Sequence, residues 1–262
     1  LPFRFLREVA SFHCDSPRSL YHGIQRSFNW SLWLPPNRTF RVDVTGASQG
    51  LTHSHFTALQ VKNALIDLQR QFSGKRSNID LKSPDFCIHL HLRSGEAALS
   101  LDSSSKSLHR RGYREALGEA PLKENLAAGL IRLSDWDMTS PLVDPLCGSG
   151  TLLIEAVSIA MDFPPGLHKK FLFELWPDFD PVLFDKEKIL AQKKISQSSN
   201  FPIIIGCEKN PQIAVQAEKN ILSAGFDQLI EIQNKSFQNL LLPKDKGFLL
   251  CNPPYGKRIN NI

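Results

Sequence analysis

Two short stretches of the sequence carry residue types that could do chemistry on a planar substrate. The first, Asn252-Pro-Pro-Tyr255, follows the apolar run at 247–250 and so would end a strand. The amide oxygen of Asn252 and the carbonyl oxygen of Pro253 could accept both N–H bonds of an exocyclic amine, and Tyr255 offers a face on which a base can stack. Because proline has a fixed φ and no N–H, Pro253 would hold its carbonyl in place. The stretch predicts transfer of a small group to an amine, although alone it could be a Pro-Pro turn.

The second stretch, at 144–151 (DPLCGSGT), places two glycines between a predicted strand and a predicted helix. The strand ends at Asp144, and Gly148 and Gly150 let a ligand approach the backbone closely. The N–H groups at the start of the helix could bind a carboxylate or a phosphate. Such a loop could hold a dinucleotide, a nucleotide phosphate or S-adenosylmethionine, or it could be a strand–helix turn without a ligand.

Three features decide among these ligands. Leu153 stands where a dinucleotide-binding loop has its third glycine, and Thr151, directly after Gly150, leaves no P-loop lysine. Glu208 lies 64 residues after Asp144, whereas a dehydrogenase places the corresponding acid about 20 residues on. Glu208 could still accept hydrogen bonds from both hydroxyls of a ribose. We therefore predict an S-adenosylmethionine site.

The elements that would position both stretches alternate between strand and helix. Strands are predicted at 141–144, 201–207, 229–232 and 248–251, and helices at 121–133, 151–161, 181–195 and 211–224. The predicted buried face of the first helix consists of leucines, namely Leu122, Leu126, Leu130 and Leu133. This alternation favours an α/β domain with a doubly wound parallel sheet, in which the fourth strand lies beside the first. Asn252 would then lie next to the glycine loop.

Strands and helices do not alternate regularly in the first part of the chain. A strand is predicted at 39–45, a helix at 54–72 that ends at Gly74, and a hairpin from strands at 86–92 and 97–102. This is an α+β arrangement, and the polar stretch 102–107 is its expected boundary. We predict an α+β module at 1–107, a linker and leading helix at 108–140, and the α/β domain at 141–262.

Charge is unevenly distributed between these parts. The net charge of the chain is +5, and residues 1–107 hold 13 lysines and arginines against 8 aspartates and glutamates, whereas the remainder holds 18 of each. A basic module joined to a neutral one predicts a polyanion-binding part and a chemical part, with a plain basic surface as the alternative. Four residues at the junction could clamp phosphates and stack a base, or pack the linker: Arg110, Arg111, Tyr113 and Arg114. Trp30, Trp33 and Trp176 are expected in the core.

Composition excludes several classes of protein. No run approaches the roughly 20 apolar residues that cross a bilayer, and the first residues are too polar for a secretory signal. The five cysteines are scattered and never form C-x-x-C, which argues against a disulfide framework or a zinc site. We expect a cytoplasmic protein without a metal.

Several motifs in order resemble a known family. They are LHRRGYREALGEAPLKENLAAGLI at 108–131, DPLCGSGTLLIEA at 144–156, PGLHKKFLFELWPDFD at 165–180 and NPPYGKR at 252–258. Together they resemble the THUMP-domain guanine-N2 methyltransferases, in particular the bacterial 23S ribosomal RNA subgroup. More loosely, RVDVTG and DLKSPDFCIHLHL resemble the later half of a THUMP domain. The resemblance implies a THUMP-like RNA-binding module followed by a Rossmann-like methyltransferase domain.

The resemblance also implies roles for individual residues. It assigns Asp144, Gly148 and Gly150 to the methionine end of S-adenosylmethionine, and Glu208 to its ribose. Cys147 and Thr151 of the same loop are predicted cofactor-binding residues as well. By the same resemblance the target base is held by Asn252, Pro253 and Tyr255. The partner is RNA, most of all ribosomal RNA.

The sequence departs from the family pattern in two places. Ser236 stands where the family usually has an acid that contacts the adenine amine, so its hydrogen bond should be weaker. The family's catalytic sheet continues after the N-P-P-Y strand, so the domain is expected to be incomplete and poorly active by itself. The alternatives are another N-P-P-Y enzyme, acting on transfer RNA guanine, DNA adenine or protein glutamine, or an RNA-binding fragment without catalysis.

Overall fold

The structure, a computed structural model, describes residues 2–104, 106–114, 122–195 and 201–253. The described chain forms two compact units, and each is built from more than one segment. The RNA-binding candidate at the front spans Arg4–Ser107 and also takes in Lys170–Pro181. The second unit holds Leu108–Lys169 and Val182–Ile262, together with a short piece at Leu1–Phe3. We call them the front unit and the catalytic unit.

The front unit has one mixed sheet with helices packed on it. Its strands are β1 (Leu6–His13), β2 (Phe40–Gly46), β3 (Phe86–Arg93) and β4 (Glu96–Asp102), in the order β1-β4-β3-β2. Strands β2 and β3 are parallel, and the other two pairs are antiparallel. Its helices are α1 (Pro17–Ser27), α2 (Trp30–Trp33) and α3 (Ser54–Ser73). The predicted strand, long helix and hairpin are confirmed, but sequence patterning missed β1, α1 and α2.

Local sequence explains several of these boundaries. The β3–β4 hairpin turns at Ser94 and Gly95, both with positive φ (51° and 80°), which matches the right-handed twist of the strands. Helix α3 stops at Gly74, whose φ of 67° is left-handed. Helix α1 begins with a capping box at Ser16 and a proline at its first position. That cap was a readable signal for the missed helix.

The segment 170–181 packs inside the front unit. The ring of Trp176 lies 5.8 Å from that of Trp33, and the guanidinium of Arg7 lies 5.1 Å from the Trp33 ring and 5.7 Å from the Trp176 ring. The Leu172 N–H donates to the Ser103 carbonyl at 3.0 Å. Trp33 and Trp176 are buried, and so is Trp30, as predicted. A stretch that follows the glycine loop in sequence therefore completes the core of the other unit.

The catalytic unit has a parallel sheet between helices. Its strands are β5 (Leu142–Asp144), β6 (Ile204–Cys207), β7 (Ile230–Gln233) and β8 (Phe248–Leu249), in the order β7-β6-β5-β8. Its helices are α4 (Glu124–Leu133), α5 (Thr151–Ala160), α6 (Pro181–Lys193, whose first residue belongs to the front unit) and α7 (Pro211–Ala224). The predicted alternation and the placement of the fourth strand beside the first are confirmed. No helix within the described ranges is both long and apolar enough to span a membrane.

The predicted inward face of α4 is wrong. Leu126 is 52% exposed and Leu133 is 81% exposed. The buried residues lie on another face of the helix, namely Glu124, Asn125, Ala127, Ala128 and Ile131. The alanines let α4 approach α5 closely, and the Glu124 carboxylate forms an ion pair with Arg114 at 3.4 Å. Pro121, the predicted helix start, lies outside the described residues.

Candidate active site

A cleft of about 540 Å³ opens at the carboxyl edge of the parallel sheet, where ligands bind in open α/β sheets. Seven of the predicted site residues line it, namely Asp144, Cys147, Gly148, Thr151, Glu208, Ser236 and Asn252. Gly150 and Pro253 are not among the lining residues. Tyr255 lies outside the described residues. The structure thus gathers residues from four separate strand ends at one place.

The glycine loop has the conformation that its sequence requires. Gly148 and Gly150 have φ of 54° and 81°, in the left-handed region that favours glycine. A Cβ added at Gly150 would lie 3.5 Å from the Cβ of Ala217, so this glycine faces α7 and not the cleft. Gly148 faces open space instead, where a ligand can approach the backbone.

Two hydrogen bonds fix the loop from outside. The N–H of Cys147 donates to the carbonyl of Cys207 on β6 at 2.9 Å. The Nδ2 of Asn220 donates to the carbonyl of Ser149 at 3.1 Å, and Asn220 is buried on α7. Asn220 was not predicted from sequence patterning. A polar residue between Ala217 and Ile221 on the apolar side of a helix was the signal that could have identified it.

Asp144 is a buried carboxylate without a cationic partner in the described part of the chain. It is 1% exposed, and its Oδ1 accepts a hydrogen bond from the Leu146 N–H at 3.1 Å. The pKa of Asp144 is raised to about 7, chiefly by burial; the hydrogen bond from Leu146 opposes the rise, and the charge of Glu208 contributes a smaller increase. A cation bound in the cleft would stabilise the charged carboxylate. The site therefore fits S-adenosylmethionine, which carries an ammonium and a sulfonium group.

Glu208 follows β6 on the neighbouring side of the cleft. Its Oε1 accepts from the N–H of Asn210 at 2.8 Å, and its carbonyl accepts from the Nδ2 of Asn234 at 2.8 Å. Its own N–H donates to Gln233 on β7 at 3.2 Å. These contacts fix the backbone at Glu208 and one carboxylate oxygen, so the second oxygen can accept a bond from a ligand hydroxyl.

The far end of the cleft is formed by the residues after β7. The Ser236 hydroxyl donates to Oε1 of Gln238 at 2.6 Å and still has lone pairs to accept a further bond. Phe237, which begins a short 3-10 turn, is 54% exposed and lines the cleft together with Ile213. Phe237 was not predicted from sequence patterning, although an aromatic residue directly after Ser236 was a readable signal. This end offers an apolar surface and a small polar group.

Pairing of β8 with β5 delivers Asn252 to the cleft. The Phe248 N–H donates to the Pro141 carbonyl at 2.7 Å, and the Leu250 N–H to the Val143 carbonyl at 3.0 Å. Burial raises the pKa of the Cys251 thiol, and the charge of Asp144 raises it further. Asn252 is therefore at the same sheet edge as the glycine loop.

The four junction residues divide into two groups. Arg111 pairs with the carboxylate of Glu155 at 3.3 Å, and the Tyr113 hydroxyl lies 3.4 Å from the same carboxylate. Arg114 donates to the Thr151 hydroxyl at 3.1 Å and to the Leu122 carbonyl at 3.0 Å. These contacts favour the packing interpretation for Arg111, Tyr113 and Arg114. Arg110 is exposed.

The fold and the cleft define the class of protein. A four-stranded parallel sheet in the order β7-β6-β5-β8, with a glycine loop after β5 and an acid after β6, is a Rossmann-like methyltransferase fold, and an N-terminal THUMP domain precedes it. Residues 111–261 match the family described as "RMKL-like, methyltransferase domain", and residues 19–102 match the THUMP domain. The chain belongs to the RMKL-like methyltransferase domain family.

Individual relatives cover almost all of the chain. The protein slr0064 of Synechocystis sp. is 40% identical over 261 residues, which are 99% of this chain and 67% of the relative. The ribosomal RNA large subunit methyltransferase K/L of Desulfotalea psychrophila is 36% identical over 98% of this chain and 37% of its own length. The crystal structure of SMU.472 complexed with SAH is 30% identical, with a TM-score of 0.84 over 97% of this chain and 67% of that one. The chain thus spans little more than a third of the K/L relative.

Proposed function

We propose that the chain transfers a methyl group from S-adenosylmethionine to the exocyclic N2 amine of a guanine in RNA, and that this RNA is 23S ribosomal RNA. The observation that carries the proposal is that Asn252 lines the same cleft as Asp144, Gly148 and Glu208. An amine-binding amide and a cofactor loop are useful to methyl transfer only when they are adjacent. The name of the Desulfotalea relative supports ribosomal RNA as the substrate.

Different residues of the cleft would bind the methionine, ribose and adenine portions of the cofactor. Asp144, Cys147, Gly148 and Thr151 would surround its methionine end, where a buried carboxylate favours a cation. Glu208 would accept hydrogen bonds from the ribose hydroxyls. Ser236 would hold the adenine by its hydroxyl, and Phe237 by its ring. Gly150 would act indirectly, because it packs on α7. Bound S-adenosylmethionine supplies an electrophilic methyl group on a sulfonium.

Asn252 would prepare the amine for attack. Its amide oxygen and the carbonyl of Pro253 would each accept one N–H bond of the amine, and this favours a tetrahedral nitrogen whose lone pair faces the methyl carbon. In that position the nitrogen would take the methyl group as the sulfonium sulfur leaves with the bonding electrons, and its extra proton would pass to water. Both oxygens stabilise the positive charge that develops on the nitrogen. Tyr255 would stack on the base, as the family resemblance implies.

RNA would be held chiefly by the front unit. The excess of basic residues lies before position 108, with 13 lysines and arginines against 8 acids. Arg110 remains a candidate RNA contact because it is exposed. The five cysteines are free thiols, which supports a reducing compartment, and we place the protein in the cytoplasm.

Incubation of the chain with deuteromethyl-labelled cofactor and ribosomal RNA, followed by mass spectrometry of the nucleosides, tests this proposal. We expect label in N2-methylguanosine, and loss of that label with Asn252→Ala. Label in any other nucleoside of the RNA would contradict the N2 amine of guanine as the target. Equal label with the unmodified chain and with Asn252→Ala would contradict the role proposed for Asn252.

A further inference from the structure

The front unit has a groove of about 510 Å³ in which basic side chains meet. The groove is lined by Pro36, Asn37, Arg70, Gly74, Lys75 and Arg76. It lies between the end of helix α3 and the loop that follows α2. We infer that this groove binds the phosphate backbone of the RNA substrate. This inference rests on the proposed function.

The cations of the groove are available for an anion. Within the described ranges the structure shows no ion pair for Lys75 or Arg76, and both are exposed. Arg70 lies 3.5 Å from Asp67 and remains 57% exposed. Four other arginines of the front unit, by contrast, are paired with carboxylates, namely Arg4, Arg7, Arg38 and Arg41. Two adjacent cations without an ion pair, both lining one groove, can contact phosphate groups of a nucleic-acid backbone.

A buried polar network fixes both walls of the groove. The Nε2 of Gln69 donates to the Leu34 carbonyl at 2.7 Å and to the Ser77 hydroxyl at 2.8 Å, and its Oε1 accepts from the Ser77 N–H at 2.8 Å. The Ser77 hydroxyl lies 3.3 Å from the Pro35 carbonyl. Gln69 is 5% exposed and Ser77 is fully buried. Because the network is satisfied and buried, the two loops are held at a fixed separation.

The wall at the end of helix α3 needs a glycine at its turn. Gly74 has φ of 67°, and its N–H closes α3 by donating to the Arg70 carbonyl at 3.0 Å. The left-handed turn directs the chain away from the helix immediately before Lys75 and Arg76. The dipole of α3 would by itself explain one cation near the end of the helix. It would not explain the second wall of the groove or the hydrogen-bond network that fixes that wall. Asn37 adds an amide donor from that second wall, so the groove combines point charges with a neutral hydrogen-bond donor.

A double variant that removes two positive charges tests the groove. K75Q/R76Q removes two exposed cations, and R18Q/R26Q removes two exposed cations of α1 that also lack an ion pair in the described structure. Both change the net charge equally. Binding of a fluorescein-labelled 30-nucleotide single-stranded RNA would be measured by anisotropy at several salt concentrations. Removing two phosphate contacts should weaken binding about tenfold at low salt and lower the salt slope by about 1.4, since each contact to a single strand contributes about 0.7.

The control variant should lose less than about threefold affinity with nearly the same slope as the unmodified chain. Equal losses in the two variants, or none in either, would overturn the groove while leaving the proposed function intact. Failure of the unmodified chain to bind this RNA or a ribosomal RNA fragment would contradict the proposed RNA substrate itself. Gln69→Leu is a second variant, which should raise the dissociation constant without removing a charge. Thermal unfolding of every variant shows whether the fold is kept.

Discussion

Asn220 and Ser149 lie 71 residues apart in sequence, and the side-chain amide of the first holds the main-chain carbonyl of the second at 3.1 Å. Ser149 stands between the two glycines of the cofactor loop, so helix α7 fixes a loop that begins on β5. A loop with two left-handed glycines has many alternative conformations, and each populated alternative lowers the apparent affinity for a ligand. We therefore regard Asn220 as a positioning residue for the cofactor.

Asn220→Ala should weaken binding of S-adenosylhomocysteine about tenfold and lower the free energy of unfolding by about 1–3 kcal/mol, because the buried carbonyl loses its donor. Calorimetric titration and denaturant unfolding measure the two effects. Lys219→Ala, at an exposed position of the same helix, is the matched control and should change neither. A variant that loses stability but keeps full affinity would restrict Asn220 to a structural role.

The pKa of Asp144 predicts how cofactor affinity depends on pH. Since the free site has a pKa of about 7, a cationic ligand must displace the proton at lower pH. Affinity for S-adenosylhomocysteine, whose amino group is cationic, should be constant above pH 7 and fall as pH is lowered toward 5.5. Titrations across this range measure the effect. Affinity that does not change with pH in the unmodified chain would contradict the assignment of Asp144.

Asp144 should lower the free energy of unfolding at the same pH at which its charge favours cofactor binding. The folded pKa of Asp144, about 7, is above the ordinary aspartate value of 3.8, so ionisation destabilises the fold as pH rises from about 4 to 7. At pH 8 Asp144→Asn should raise the free energy of unfolding by more than about 1 kcal/mol, since one pKa unit corresponds to about 1.4 kcal/mol. The gain should shrink as pH falls toward 5, and cofactor affinity should be lost at every pH.

Asp137 serves as the control, because its pKa is lowered in the folded state whereas that of Asp144 is raised. Hydrogen bonds from the Ser140 hydroxyl and from the N–H groups of Ser140 and Thr139 lower the pKa of Asp137 to about 2. Asp137→Asn should therefore not stabilise the chain at pH 8. Denaturant unfolding of both variants at three pH values decides the matter. Equal effects of the two substitutions would show that burial of Asp144 is not the cause.

Asn252→Ala should abolish methyl transfer and spare cofactor affinity. The proposed hydrogen bond to the amine strengthens only as positive charge develops, so its loss should lower the single-turnover rate by about 100-fold or more. Rapid-quench measurement with labelled cofactor gives that rate, and titration with S-adenosylhomocysteine gives the affinity. Asn252→Asp keeps an acceptor oxygen and should retain more activity than the alanine variant. A rate near that of the unmodified chain would remove Asn252 from the mechanism.

Sequence patterning predicted features whose cause is local. The apolar strands, the glycine loop and the acid at Glu208 each follow from a few neighbouring residues, and the strand order follows from the general rule for doubly wound sheets. It failed where burial depends on a distant partner. Leu126 has the periodicity of a core residue, yet it is exposed because Glu124 and the alanines of α4 face α5 and Arg114.

Two functional residues were missed for a related reason. The importance of Asn220 becomes evident only when α7 lies against the loop, and that of Phe237 only when the end of β7 lies beside β6. Neither belongs to a motif with fixed spacing. The predicted sites that do belong to such motifs, Asp144 and Asn252 among them, line the cleft.

The packing of segment 170–181 on Trp33 limits the positions at which recombination could separate the front unit from the rest of the protein. A chain divided after residue 107 would leave the front unit without Trp176 and Leu172, and Arg7 would lose one of its two aromatic neighbours. A transplant of this RNA-binding part into another enzyme must therefore bring a twelve-residue strip from beyond the glycine loop. Recombination at a single crossover point would separate the strip from its partners. We expect the two units to have been inherited together rather than shuffled as independent cassettes.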